Sequence, residues 1–356
     1  LVAALVAADH ASPPGLASHY DFEAVTCACH AMQQHRSRLH VQWHGCAALH
    51  ALACKAPALA EAVVRQQGVR LVCKAMSTYR SDAAARLQAS ACACLAALAD
   101  HVESSRATLR SFSAAPLIAQ TLADFLAPTD GGAAVFVCGA RAMLTLSELP
   151  PASEALLPPD GGQSRIEELM WTAARLHPTR VVVQGVCCEL LCAITWERLR
   201  LGAAGTLDMV KLHRGGSVPR GIRFSAAALA QHGGGFAGGS AFGPAIDLVC
   251  AALSAAKGLV QLQIIAISSP AVPSSAGDGG LDGADDGASA SPASQPLPSL
   301  VTAADLQSLE VQVQRAMAAA ARKPHMGFVR DMAAATLAEF EHLGPGYGGA
   351  GGSRHR

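Results

Sequence analysis

Between Cys27 and Cys54 the chain gathers five histidines, His30, His35, His40, His44 and His50, and four cysteines, Cys27, Cys29, Cys46 and Cys54. Imidazole nitrogen and thiolate sulfur are zinc ligands, and His40 and His44, four residues apart on a helix, would turn both rings to one side. The rest of a closed four-ligand site is missing from the pattern. Cys27-x-Cys29 has no paired C-x-x-C, and Cys46 has a counterpart, Cys92, at the same place in a later copy of its segment. Thiols acting as small buried hydrophobes explain that recurrence more simply, and no bound metal is expected.

Other reactive patterns are equally incomplete. The run from Gly233 to Gly238 (GGGFAG) fits G-x-G-x-x-G in letters, but no strand pattern precedes it, so it reads as a glycine linker. No G-x-x-x-x-G-K-[ST], G-x-S-x-G, H-E-x-x-H or EF-hand pattern occurs. Cys187-Cys188 is an unusual pair, yet nothing cationic adjoins it to activate a thiolate. The expectation is no catalytic residue and no cofactor.

Composition narrows the elements that must hold these residues. Of 356 residues 51% are hydrophobic and only 4% aromatic, so a core would be built from Ala, Leu, Val and Cys. Alanine is the strongest helix former, and the scarcity of aromatics argues against a sandwich or barrel. Lys and Arg number 27, as do Asp and Glu, so no overall field draws the chain to nucleic acid or an anionic membrane. The absence of Asn removes any N-glycosylation acceptor. The 12 cysteines lack disulfide-framework spacing, which points to a reducing compartment, cytoplasmic or nuclear. No uninterrupted run of about 18 apolar residues is present, and the opening LVAALVAA is too short to span a bilayer. The first residue is Leu1, not Met, which leaves open a targeting segment ahead of it.

The strongest pattern is repetition. VQWHGCAALHALA from Val41 returns as LQASACACLAALA from Leu87, VFVCGARAMLTLS from Val135 and VQGVCCELLCAIT from Val183, at intervals of 46, 48 and 48 residues. Weaker copies start at Ala245 (AIDLVCAALSAAK) and Val329 (VRDMAAATLAEFE). A unit of this length cannot bury its own apolar face, so neighbouring copies must stack. Within one unit three helices are expected, over 58–67, 69–78 and 83–99. Gly68 would take the left-handed turn between the first two, Gly205 would repeat that role, and Ser81-Asp82 would cap the third. Val69, Val72, Cys73 and Met76 form the apolar stripe of the second helix.

The division that follows is regular repeats over 1–212, a Gly-rich loop over 213–244, a degenerate repeat helix over 245–267 and a disordered insertion over 268–300. A C-terminal degenerate repeat occupies 301–343 and a disordered tail 344–356. Ser, Pro, Gly and Asp dominate the insertion, which cannot bury enough apolar area to offset its ordering entropy.

The runs Ala31–Ala53, Gln66–Met76 and Leu87–Ala99 together resemble the armadillo repeat, in which the third helix reads approximately VQxxGCxALxxLA after a Gly turn. The likeness covers about Tyr20 to Met209 and is partial from Ala245 to Leu343; HEAT repeats are the near relation. It implies an all-α, right-handed α-solenoid, armadillo/HEAT-like, whose concave surface, lined by third helices, binds a protein or peptide. The slots that hold Trp and Asn in the best-known peptide binders are here Ala47 and Ala51, Ala93 and Ala97, Arg141 and Thr145, Glu189 and Ala193, Ala251 and Ala255, Ala335 and Glu339. None is Trp or Asn, so a different partner or a packed helical contact is implied.

The expected contacts on that surface are Trp43, His50, Arg141, Thr145, Glu189 and Trp196. The plainer alternatives are that each Trp fills a gap between units and that Arg141 and Glu189 form a solvated pair of little weight. The function expected is a monomeric, non-catalytic scaffold or adaptor that binds no nucleic acid and no membrane. The alternative is a regulatory repeat segment of a larger signalling protein, associated with a kinase, GTPase or ubiquitin-ligase domain.

Overall fold

An alanine-rich chain with few aromatics favours helix wherever Gly and Pro are sparse, and every regular element of the computed structural model is helical, with no strand among the described residues. Residues 17–101, 103–147, 156–157, 164–203, 217–232, 242–268, 301–321 and 327–343 are described. They hold α1 (His19–Gln34), α2 (Leu39–Lys55), α3 (Pro57–Arg65), α4 (Gly68–Thr78), α5 (Ala85–His101), α6 (Glu103–Ser111) and α7 (Ala114–Asp124). After these come α8 (Asp130–Ser147), α9 (Arg165–Leu176), α10 (Val181–Ala203), α11 (Ser217–His232), α12 (Phe242–Ser268), α13 (Ala303–Ala321) and α14 (Gly327–Glu341).

The helix boundaries have local causes. Ser18 caps α1: its hydroxyl accepts the Asp21 N–H, and the Asp21 carboxylate accepts the Ser18 N–H at 2.7 Å. Lys55 at the end of α2 reaches both oxygens of that carboxylate at 3.0 Å, tying the start of α1 to the end of α2. Pro57 opens α3 where its missing N–H costs nothing.

The expected left-handed turn lies one residue earlier than Gly68. Gln67 has φ 58° and Gly68 already belongs to α4; Ser113 (φ 51°) does the same before α7. The glycine is needed for close approach instead, since a Cβ there would lie 2.4 Å from Val63 Cγ1 and 2.9 Å from its carbonyl oxygen. Ser81 makes no side-chain cap either; it precedes a 3-10 turn, Asp82–Ala84, that leads into α5. Gly205 lies outside the described residues.

The repeated segments occupy α2, α5, α8, α10, α12 and α14. These helices pack in chain order: α2 on α5, α5 on α8, α8 on α10, α10 on α12 and α12 on α14. A contiguous apolar cluster runs along them from Val25 to Ala333. In the first, third and fourth copies the Gly slot faces the preceding helix. A Cβ on Gly45 would meet Met32 Cγ at 2.4 Å, and one on Gly139 would meet Leu122 Cδ2 at 2.6 Å. In the fourth copy the slot holds the buried Cys187, whose thiol points at the Met170 carbonyl of α9, 3.7 Å away.

The Gln of the VQ opening has a role that the sequence pattern left unspecified. Gln42 Nε2 donates to the carbonyls of Met32 (2.9 Å) and His35 (3.0 Å), at the C-terminal end of α1. Gln88 makes the same pair of bonds to Met76 and Tyr79 at the end of α4, and Gln184 to Ala174 and His177 at the end of α9. Each amide therefore satisfies two of the carbonyls that a helix end leaves without intrahelical donors. In the third copy the slot is filled by the buried Phe136, which cannot do this.

Two expectations need correction. The span 213–244, read as a Gly-rich loop, contains α11, whose Val218, Ile222, Ala226 and Leu229 are buried. Gly221 sits inside this helix where Leu259 of α12 comes so close that a Cβ would be 2.9 Å from its Cδ1. The degenerate helix expected over 245–267 starts earlier, at Phe242, and the last repeat comprises two helices, α13 and α14. The insertion from 269 to 300, the tail from 344 and the run Gly233–Gly238 lie outside the described residues. Within α12, Asp247–Ile264 is long and apolar enough to cross a membrane, yet 61% of it is buried and it packs on α10, α11 and α14, as a core helix does.

Candidate partner-binding surface

The candidate contacts fall into two groups. In the first, Trp43 of α2 stacks on His44 (centroids 4.4 Å apart, planes at 25°), and the Arg86 guanidinium of α5 lies 5.3 Å from its ring centroid. Trp43 is thus half-buried by its own neighbours, with an indole face already taken by a cation. His50, one turn from the end of α2, is half-buried, and Cys54 Sγ lies 3.6 Å from its Nδ1. Burial lowers the His50 pKa from its ordinary value, opposed by a hydrogen bond with the Ala93 backbone of α5.

The second group spans α8, α10 and α12. Arg141 is exposed, and Thr145 Oγ1 donates to its carbonyl at 3.1 Å. Glu189, half-buried on α10, sits between Arg141 and Asp247 of α12. Burial pushes its carboxyl up, Arg141 opposes that shift and Asp247 adds to it. Arg141 and Glu189 do not close to an ion pair among the described residues, so the pair expected as an alternative is replaced by a looser set of one cation and two acids, Arg141, Glu189 and Asp247. Two turns along α10, Trp196 is 43% exposed, its indole N–H 3.4 Å from Ser254 Oγ of α12, and Cys192 Sγ is 3.0 Å from the same hydroxyl. A partly exposed indole on the same helix as Glu189 adds apolar area of the kind found at binding hot spots.

The metal-like cluster of α1 and α2 does not assemble. Cys29 and Cys46 are buried, Cys27 and Cys54 exposed, and among the described residues no three His, Cys, Asp or Glu side chains converge on one point. Burial pushes the Cys29 and Cys73 thiols up to about 11 and Cys46 up to about 12, and Cys187 and Cys188 rise as well, which keeps them protonated and unreactive near neutrality.

Two polar groups escaped the sequence reading. Arg198 of α10 and Glu167 of α9 form an ion pair at 2.7 Å with side chains 1% and 0% exposed, deep in the apolar cluster. The Glu167 N–H also donates to the capping hydroxyl of Ser164. Nothing in WERLR marks Arg198 as inside while Arg200 is outside; only helix phase distinguishes them. No family model matches this chain, and neither a curated protein nor a solved structure is found similar to it.

Proposed function

We propose that the chain is a non-catalytic scaffold, an armadillo-like right-handed α-solenoid that holds a protein or peptide partner on the inner face of its long helices. The observation that carries this reading is the row Arg141, Glu189 and Trp196 on consecutively packed helices α8 and α10. The chain-order packing of the six repeat helices supports the solenoid, because each copy covers the apolar side of the next. All 12 cysteines are free thiols, in keeping with a reducing compartment inside the cell.

The test is affinity capture from native extract with the full chain, compared with Arg141→Ala, Glu189→Ala, Trp196→Ala combined. These side chains contribute little to the core, so unchanged circular dichroism is expected. Captured partners are expected to fall by about tenfold or more, as for loss of central interface residues. Identical sets of captured proteins would place the partner surface elsewhere.

A further inference from the structure

A second concave feature lies between α9 and α11. It is an open groove of about 990 Å³, lined by Trp171 and Arg175 from α9 and by Arg220, Arg223 and Phe224 from α11, with Glu168 at one side. The aromatic wall is preformed: Trp171 and Phe224 meet edge to face, centroids 5.6 Å apart at 79°. The volume lies near the top of the range typical of cavities that hold ligands, about 300–1,000 Å³.

Its charges are unbalanced. Arg223 lies 3.6 Å from Asp305, but among the described residues no acid pairs with Arg175 or Arg220, both exposed. Arg175 makes only a long contact, 3.4 Å, to the Thr172 hydroxyl. The Trp171 indole N–H is buried with no acceptor among the described residues, so it is not a donor to anything seated in the groove.

We propose that this groove docks an acidic peptide segment of a protein partner. Its carboxylates meet Arg175 and Arg220, and an apolar side chain covers Trp171 and Phe224. Guanidinium forks match carboxylates in planar, bidentate geometry, and aromatic walls take apolar side chains. A small anion would leave the aromatic wall uncovered. Nucleic acid needs a longer run of cations than this groove has, on a chain whose overall charge is balanced. The groove shares no lining residue with the row Arg141, Glu189 and Trp196, so the two proposals succeed or fail separately.

The experiment is fluorescence anisotropy of a short fluorescein-labelled peptide of alternating glutamate and leucine, against a twin with glutamine for every glutamate. The expected result is that the full chain binds the glutamate peptide about tenfold tighter than the twin, and that Arg175→Glu with Arg220→Glu removes this preference. A control with the same net change, Arg36→Glu with Arg65→Glu, alters two exposed arginines elsewhere and keeps it. Phe224→Ala weakens both peptides alike. Equal binding of the peptides, no binding of either, equal loss in the control, or tighter binding of single-stranded oligothymidine overturns the proposal.

Discussion

Arg198 and Glu167 show how differently one residue type behaves inside and outside the same helix. Arg200, two positions on, is itself largely exposed and pairs with the half-buried Glu197 at the surface, where an ion pair contributes little. Arg198 is enclosed, so Arg198→Met leaves a buried carboxylate without its cation and is expected to cost about 3–5 kcal/mol in urea denaturation. Adding Glu167→Leu should recover most of that loss, because two packed apolar chains replace two desolvated charges. A double variant as unstable as the single one would show that the pair is not the cause. Helix phase puts Arg198 on the face of the buried Leu191 and Ile194, but its partner Glu167 on another helix could not be read from spacing. Trp196 shares a helix face with residues 185, 189 and 193, which left both a contact and a gap-filling role open, and it is 43% exposed. Trp43, chosen by the same argument, is screened by His44 and Arg86; stacking partners from the same and the neighbouring helix cannot be read from spacing along one helix.

Among elements, the helices best marked in the sequence are those with a repeated internal order. The six segments chosen by self-similarity fall within α2, α5, α8, α10, α12 and α14, and the early copies share the same slots: Gly45, Gly139 and Cys187 against the preceding helix, and Leu49, Leu95, Met143 and Leu191 into the core. The opening Gln was visible as a recurring letter, but its work, closing the C-terminal carbonyls of another helix, depends on a turn geometry that spacing alone does not give. Gln88→Leu keeps the bulk and removes both bonds to Met76 and Tyr79, and is expected to destabilise by about 1–3 kcal/mol at the urea midpoint. An unchanged midpoint would mean that water replaces the amide at no cost. Helix α11 was missed because glycines flank it and Gly221 interrupts it, although Val218, Ile222 and Leu229 keep helical spacing. There glycine serves the contact with Leu259, and composition outweighed periodicity in the reading.

For the molecule as a whole, the titrating groups set a window of stability on both sides of neutrality. His50 is held below its ordinary value, so its contribution is complete above about pH 6.5 and is lost as the pH falls below that. The Asp21 pKa is lowered too: burial opposes the shift, but hydrogen bonds from Ser18 and the Lys55 ammonium outweigh it. Its stabilisation persists above about pH 4 and disappears in stronger acid. The buried thiols are raised, so they favour the folded state fully below about pH 8.5–9 and less as the pH climbs past it. Thermal midpoints measured from pH 4 to 10 should peak between these limits, and a thiol reagent near neutrality should modify Cys27 and Cys54 well ahead of Cys46 or Cys92. Uniform modification of all four would contradict the burial. One break in the array has a further consequence. Where the other early copies fasten a helix end with an amide, the third copy has the buried Phe136 in that slot, and the α7–α8 seam has Leu122 and Ile118 seated against Gly139. Adhesion between oily surfaces fades on cooling while polar fastenings hold, so a chilled sample should loosen first at that seam, freeing α7 while α5, α8 and α10 stay stacked.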